Sequence, residues 1–196
     1  MDNREFFNSM ASRWDEICCH PAEKIEYIMD RIQLRKGDNV FDIGSGTGIT
    51  LPFIEKRIGK EGKIVALDIA ENMIEISKKK NVYSNIVFVV DDFYQYSSKE
   101  TFDCILAYSC YPHFQDKENF FKKAFSLLKT GGKIVIAHIE AREKINNRHS
   151  DVKDRIVSES LPKAHQTADL MEKCNLEVNY LEDNSEYYIC IGEKLI

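Results

Sequence analysis

The sequence holds no long hydrophobic run. Its uninterrupted apolar stretches are only a few residues long, far short of the roughly 20 that span a bilayer. Its first residues, Met1-Asp2-Asn3-Arg4-Glu5, lack the charged-then-apolar order of a signal peptide, so neither a membrane nor an export role is expected. Positive charge is not in excess: 27 Lys and Arg stand against 32 Asp and Glu, a formal net charge of −5. That balance gives no general attraction to nucleic acid or to anionic membranes. The six cysteines, at 18, 19, 104, 110, 174 and 190, include no C-x-x-C pair. Cys104 and Cys190 fall in stretches that read as buried strands, where a free thiol behaves as a small hydrophobe. A reducing cytoplasm is the expected setting. Internal repeats, low-complexity tracts and an interdomain linker are also missing.

What the sequence does carry is alternation. Ile25, Ile28, Met29 and Ile32 fall at helical spacing, so residues 21–33 read as a helix. Asn39 to Ile43 reads as a short strand of buried type, followed by a helix over 50–58, a strand from Lys63 to Asp68 and a helix over 70–80. Ile86-Val87-Phe88-Val89-Val90 is an unbroken apolar run, which predicts a strand covered on both faces. Phe102 to Tyr108 is a fourth strand. Phe121, Ala124, Phe125 and Leu128 form the stripe of a helix stopped by Gly131-Gly132, and Lys133 to His138 is a fifth strand. A helix over 164–174 and two strands near 176–182 and 187–193 close the pattern. Strands separated by helices predict an α/β fold: a doubly wound, mostly parallel seven-stranded sheet with helices on both faces and a C-terminal antiparallel hairpin. Residues 1–196 are expected to form one domain, with 1–36 as an N-terminal helical cap and 140–163 as a helical lid or connector.

In such sheets ligands bind at the carboxyl ends of the strands. After the first strand comes Asp42-Ile43-Gly44-Ser45-Gly46-Thr47-Gly48. A loop that cradles pyrophosphate uses bare backbone N–H groups at a helix N-terminus and avoids negative charge beside them. Asp42, two residues before the first glycine, would repel a strongly anionic ligand and welcome a positive centre. A dinucleotide fingerprint is excluded for the same reason, and because its third glycine would fall at position 49, which is isoleucine. The later strand ends carry Asp68-Ile69, Asp91-Asp92-Phe93, Tyr108 to His113, and His138 with Glu140.

Val40 to Gly48 resembles motif I of the class I S-adenosylmethionine-dependent methyltransferases, an acid followed after one residue by G-x-G-x-G. Val65-Ala66-Leu67-Asp68 is similar to that family's second motif, Asp92-Phe93 to its adenine-binding pair, and Leu128 to Lys133 to its Leu-Lys-Pro-Gly-Gly turn, with Thr130 in place of proline. Phe6 to Asp15 is similar to the helix that often closes over the cofactor. The resemblance implies S-adenosylmethionine as methyl donor, held by Asp42, Gly44, Ser45, Gly46, Thr47, Gly48, Asp68, Ile69, Met73, Asp92, Phe93 and Tyr108. On this pattern Asp42 faces the methionine ammonium and Asp68 both ribose hydroxyls. Asp92 accepts from the adenine amino group, the Phe93 N–H donates to the ring, and Ile69, Met73 and Phe93 supply apolar surface for adenine.

The acceptor is less constrained. Ser109-Cys110-Tyr111-Pro112 departs from the Asn/Asp-Pro-Pro-Tyr/Phe run of methyltransferases acting on DNA bases, and the acidic balance agrees, so a small molecule is expected rather than nucleic acid. A protein or RNA acceptor reached through a partner, and a non-catalytic module that only binds the donor, stay open. Candidate bases or acceptor-side residues are His113, His138 and His149. His138-x3-Arg142-Glu143-x-Ile145-Asn146-x2-His149 resembles a stretch in a small-molecule-type bacterial subgroup of the family. Ala141, Ile145, Val152 and Ile156 give this stretch a helical stripe, which would set Arg142, Asn146 and His149 on one side, with Arg142 able to bind an anionic acceptor group. The three histidines lie on separate elements without a compact ligand spacing, so no metal site is expected.

Overall fold

Most apolar segments of the central sheet are followed by a helix that carries the chain back to the start of a parallel strand. The structure is a computed structural model and describes residues 2–151 and 156–195. From the N-terminus, α1 (Asn3–Met10), a tight turn of helix over Ala11–Arg13 and α2 (Trp14–Ile17) lead into α3 (Ala22–Ile32). Then come β1 (Asn39–Ile43), α4 (Leu51–Ile58), β2 (Lys63–Asp68), α5 (Glu71–Lys80), β3 (Ile86–Val90) and β4 (Phe102–Tyr108). These are followed by α6 (Lys117–Leu127), β5 (Leu128–His138), α7 (Arg142–Asp151), α8 (Ala164–Lys173), β6 (Leu176–Asp183) and β7 (Tyr188–Lys194).

The seven strands lie in the order β3-β2-β1-β4-β5-β7-β6. β1 to β5 run parallel, while β7 pairs antiparallel with β5 and with β6. The predicted α/β architecture with its closing hairpin is therefore the observed one. Alternate side chains of each central strand feed opposite faces. Val40, Ile64, Cys104 and Val135 pack with Ile25, Ile28, Leu51 and Ile54 on one side. Phe41, Val65, Ile105 and Ile134 pack with Phe120, Phe121 and Met171 on the other. Both faces exclude water, which is why these strands read as continuous apolar runs.

Three local expectations are corrected. β3 is an edge strand paired only with β2, so Val87 and Val90 are 45% and 40% exposed, and the run is not covered on both faces. α6 ends at Leu127, and Leu128 already belongs to β5, where it pairs with Phe102. The glycine pair therefore lies in an irregular stretch of strand instead of stopping a helix. In the 140–163 region the described helix covers Arg142–Asp151 and buries Ile145, and Ile156 of the expected stripe lies in no helix. Val152 of the expected stripe lies outside the described residues.

The strand order reverses between β1 and β4, which opens a crevice above their carboxyl ends. The loop leaving β1 stays tight against α5 because Gly48, at φ +77°, has no side chain: a Cβ there would collide with Ser77 Oγ and Asn81 Nδ2. Asn81 Nδ2 instead donates to the Gly48 carbonyl at 3.2 Å. Gly48→Ala is therefore expected to destabilise the protein by about 1–3 kcal/mol, combining left-handed strain with the collision. Urea denaturation measures this, and an unchanged midpoint would contradict it.

Candidate functional site

The site begins with two carboxylates on adjacent strands. Asp42, 1% exposed, accepts a hydrogen bond from Thr50 Oγ1 at 2.6 Å. Burial, reinforced by the neighbouring Asp68, pushes its carboxyl up from 3.8 to about 7. Asp68, 8% exposed, accepts from the Gly46 N–H at 2.8 Å and the Ala70 N–H at 2.9 Å. Burial raises its pKa too, although these backbone donors oppose the shift. The carboxylate thus pins the glycine loop, and it keeps lone pairs for a further ligand because a carboxylate offers about four acceptor positions. At Gly46, φ is +54° and a Cβ would meet no atom within 4 Å, so the backbone faces open space. Gly48 turns toward α5 instead and does not border the cavity.

At the end of β3, Asp92 Oδ1 accepts from the Tyr94 N–H at 2.9 Å. Phe93 borders the cavity, but it is only 1% exposed and its ring packs 5.2 Å from that of Phe120 and 6.1 Å from that of Phe41. The expectation that this ring forms an adenine surface is corrected: it belongs to the core, which leaves the main chain for a ligand. Met73 and Ile69 line the cavity, with Met73 packed among Ala11, Phe7 and Trp14.

The N-terminal segment lies across this crevice as a strap. Arg4 pairs with Glu71, and the Asn72 N–H donates to Asn8 Oδ1 at 2.9 Å, which docks α1 on α5. The Val157 N–H donates to Asn3 Oδ1 at 2.8 Å and ties the same helix to the other rim. Asp15 accepts from Thr47 Oγ1 at 2.5 Å and from Lys80 at 2.6 Å, which fastens the strap to the glycine loop. His20 Nδ1 lies 2.8 Å from the Tyr108 hydroxyl. The sequence marks this segment as a closing helix, but it gives no sign of the Asp15 and His20 latches, whose partners are remote in sequence.

Beyond the ends of β4 and β5, three imidazoles converge on the cavity. The His113 ring lies 5.2 Å from that of Phe7 and 5.0 Å from that of His149. His138 is 3% exposed and packs edge-on against Tyr188. Burial lowers His113 to about 4 and His138 to about 3, and it lowers His149 as well. In each the neutral form is favoured. His138 Nε2 and His149 Nδ1 are buried without a hydrogen-bond partner among the described residues, an arrangement that costs about 1–3 kcal/mol per group unless a ligand or water relieves it. Arg142 is not brought to this cluster. It pairs with Glu143 and, at 3.4 Å, with Asp183, beside a separate surface hollow of about 480 Å³. Asn146 faces the 161 segment, where it exchanges two hydrogen bonds with Leu161 at 2.7 and 3.0 Å. The expected shared side of Arg142, Asn146 and His149 is thus split into two fasteners and one cavity residue. Among the described residues, no group of His, Cys, Asp and Glu side chains converges as a metal would require.

Both halves border one cavity of about 900 Å³, within the range of small-molecule sites. Its donor-side wall presents Asp42 and Asp68 with no cationic side chain among the influences on either. That arrangement fits a ligand carrying positive charge and does not fit a pyrophosphate. A family model described as a methyltransferase domain matches residues 34–189.

The chain belongs to the class I S-adenosylmethionine-dependent methyltransferases.

Among its relatives in this family, a malonyl-[acyl-carrier protein] O-methyltransferase of Ilyobacter polytropus is 31% identical over 68% of this chain and 52% of its own length. A probable cobalt-precorrin-6B C(15)-methyltransferase of Thermoplasma volcanium is 33% identical over 61% of each chain. The chain thus spans about half to three fifths of the length of these curated relatives. Among solved structures, the methyltransferase in complex with the Haloferax volcanii Trm112 methyltransferase activator has the same fold, with a TM-score of 0.84 at 16% identity over 97% of this chain and 96% of that one. A Haemonchus contortus phosphoethanolamine N-methyltransferase 2 in complex with S-adenosylmethionine aligns with a TM-score of 0.77 at 16% identity over 97% of this chain and 59% of that one. S-adenosylmethionine is the methyl donor of this methyltransferase fold.

Asp42 carries a cost that this methyltransferase bears whenever its site holds no cation. Its folded pKa is raised above 3.8 to about 7, so the cost is absent in acid and grows as pH rises from 3.8 to about 7. Asp42→Asn keeps an acceptor for Thr50 and removes the charge. It is expected to stabilise the ligand-free protein by about 2–4 kcal/mol at pH 8 and by much less in acid, below pH 5. Thermal melts at the two pH values read this out, and equal shifts at both would contradict the assignment.

Proposed function

We propose that this chain transfers the methyl group of S-adenosylmethionine to a small-molecule acceptor by in-line displacement. The observation that carries the reading is the closure of the cavity: the α1 strap and the segment around Val157 meet over it through Asn3. A small molecule can be surrounded there, whereas a folded macromolecule would have to displace the strap. S-adenosylmethionine supplies, when bound, an electrophilic methyl carbon on a positively charged sulfur.

This chain's residues bind and align. Asp42 receives the amino-acid ammonium, whose charge favours the ionised carboxylate. Asp68 receives the ribose hydroxyls with the lone pairs left by Gly46 and Ala70. Asp92 and the Phe93 N–H serve the adenine edge, and Ile69 and Met73 its faces. Gly44 to Thr47 form the floor, and Tyr108, held by His20, stands at the end of β4. Alignment is the main contribution to rate, because it replaces a bimolecular encounter by a fixed approach. The strap excludes water from the cavity, and the histidines of the β4–β5 end face the acceptor. In this reading 1–36 is a cap and 140–163 a lid or connector. The six cysteines are free, which supports a reducing cytoplasm, and no helix among the described residues is long and apolar enough to cross a membrane.

A second reading, a macromolecular acceptor reached with a partner protein, is supported by the Haloferax neighbour, whose structure holds an activator. Incubation of the protein with tritiated S-adenosylmethionine and cell extract, followed by dialysis and chromatographic removal of unreacted donor from the diffusible fraction, separates the two. Label is expected in the diffusible fraction, and Asp68→Ala is expected to reduce it about 100-fold by removing two charge-assisted contacts to the donor. Label confined to retained protein or RNA would establish the second reading, and tight donor binding with no labelled product would mark a non-catalytic module.

A further inference from the structure

The cavity changes character past the ends of β4 and β5. Its donor half is acidic, whereas its other half is built from imidazoles and apolar side chains, among them Phe7, Ile145 and Ile156. His138 is more than nine-tenths buried, and its Nε2 has no partner among the described residues. His149 is only partly buried, but its Nδ1 is also shielded and without a partner among the described residues. His113 Nδ1 lies 3.4 Å from the Val157 carbonyl, a contact that leaves its Nε2 as an acceptor.

The charged groups bordering this half are already committed. Of the lining residues, Glu140 and Arg148 pair with each other, and Glu140 also with Lys144; Lys117, which acts on His113 without lining the cavity, pairs with Glu159 at 3.2 Å. Among the described residues, an acceptor carboxylate would meet no free cation there, and an acceptor ammonium no free carboxylate. A charge taken from water without a partner is costly. Burial disfavours the charged form of all three imidazoles, and Arg148 adds to this at His149, so they are poor sources of compensating charge. Each unpartnered imidazole nitrogen is either a donor or an acceptor, according to its tautomer. A hydroxyl group can both donate and accept, so it satisfies either state.

Resting on the methyltransferase reading above, we infer that the acceptor is an uncharged, largely apolar molecule that presents a hydroxyl group, of the phenol or enol class, to His138 and His149. The product is then a methyl ether. The hydroxyl oxygen forms a bond to the methyl carbon as the carbon–sulfur bond breaks, and sulfur keeps the electron pair and becomes neutral. The hydroxyl proton passes to a facing imidazole and then to water. The O–H group becomes strongly acidic as the new bond forms, so an imidazole of low basicity is base enough.

Titration of the full chain loaded with S-adenosylhomocysteine, followed by nuclear magnetic resonance, tests this with phenol, benzoate and benzylamine as probes. Phenol is expected to bind about tenfold or more tightly than either charged probe. His138→Phe and His149→Leu are each expected to erase that preference while S-adenosylhomocysteine affinity stays within about twofold. Benzoate or benzylamine binding as tightly as phenol overturns the inference. So does phenol failing to bind, or keeping its affinity in both variants. The comparison on the unmodified protein decides the matter even where a variant does not fold. Failure of S-adenosylhomocysteine itself to bind brings down the methyltransferase reading and this inference together. Binding of S-adenosylhomocysteine without a preference for phenol brings down this inference alone.

Discussion

Asp42 and Asp68 lie at the carboxyl ends of neighbouring parallel strands, and the sheet holds both away from water, with no cationic side chain acting on either among the described residues. Much of the site follows from that constraint. Two buried acids side by side are tolerable only where backbone and hydroxyl donors surround them. Thr50, Gly46 and Ala70 supply those donors, and in doing so they fix the loop that leaves β1. The ligand that completes the arrangement has to bring positive charge. The electrostatics of an otherwise ordinary doubly wound sheet therefore select a sulfonium cofactor with an ammonium group over a nucleotide diphosphate, and this agrees with the family to which the chain belongs.

Sheet order then divides the crevice by chemistry. The ends of β1, β2 and β3 carry carboxylates, while those of β4 and β5 lead to imidazoles. The strap spans both halves, docked on α5 at one rim and on Val157 at the other. Its latches are polar and partly exposed, as with Asp15 on Thr47 and Lys80. Contacts of this kind contribute little stability individually, which suits a segment that must part for ligands to enter and leave.

The acids and glycines that meet at the cavity are legible in the sequence because their signals are local. An acid, three glycines and a following helix are contiguous, and the acids after the second and third strands sit at strand ends that hydrophobic runs mark clearly. What failed were properties set by distant chain. The run at Ile86–Val90 looks the same whether a strand is central or at an edge, and only the winding order makes β3 an edge. Phe93 follows Asp92 at the end of β3, but Phe41 and Phe120 draw its ring into the core. Helical spacing put Arg142, Asn146 and His149 together, whereas Asp183 on β6 and Leu161 claim the first two and leave only His149 to the cavity. The stretch from His138 to His149 thus combines cavity lining with structural fastening.

Uptake or release of protons on ligand binding tests the electrostatic account most directly. Calorimetry of S-adenosylmethionine binding near pH 7, in buffers of different ionisation enthalpy, counts the protons exchanged. Asp42 is half protonated at about pH 7 in the ligand-free site, and an ammonium beside it forces ionisation. Binding is therefore expected to release about half a proton, and Asp42→Asn to abolish that release. Tight binding with no proton released by the unmodified protein would contradict the account.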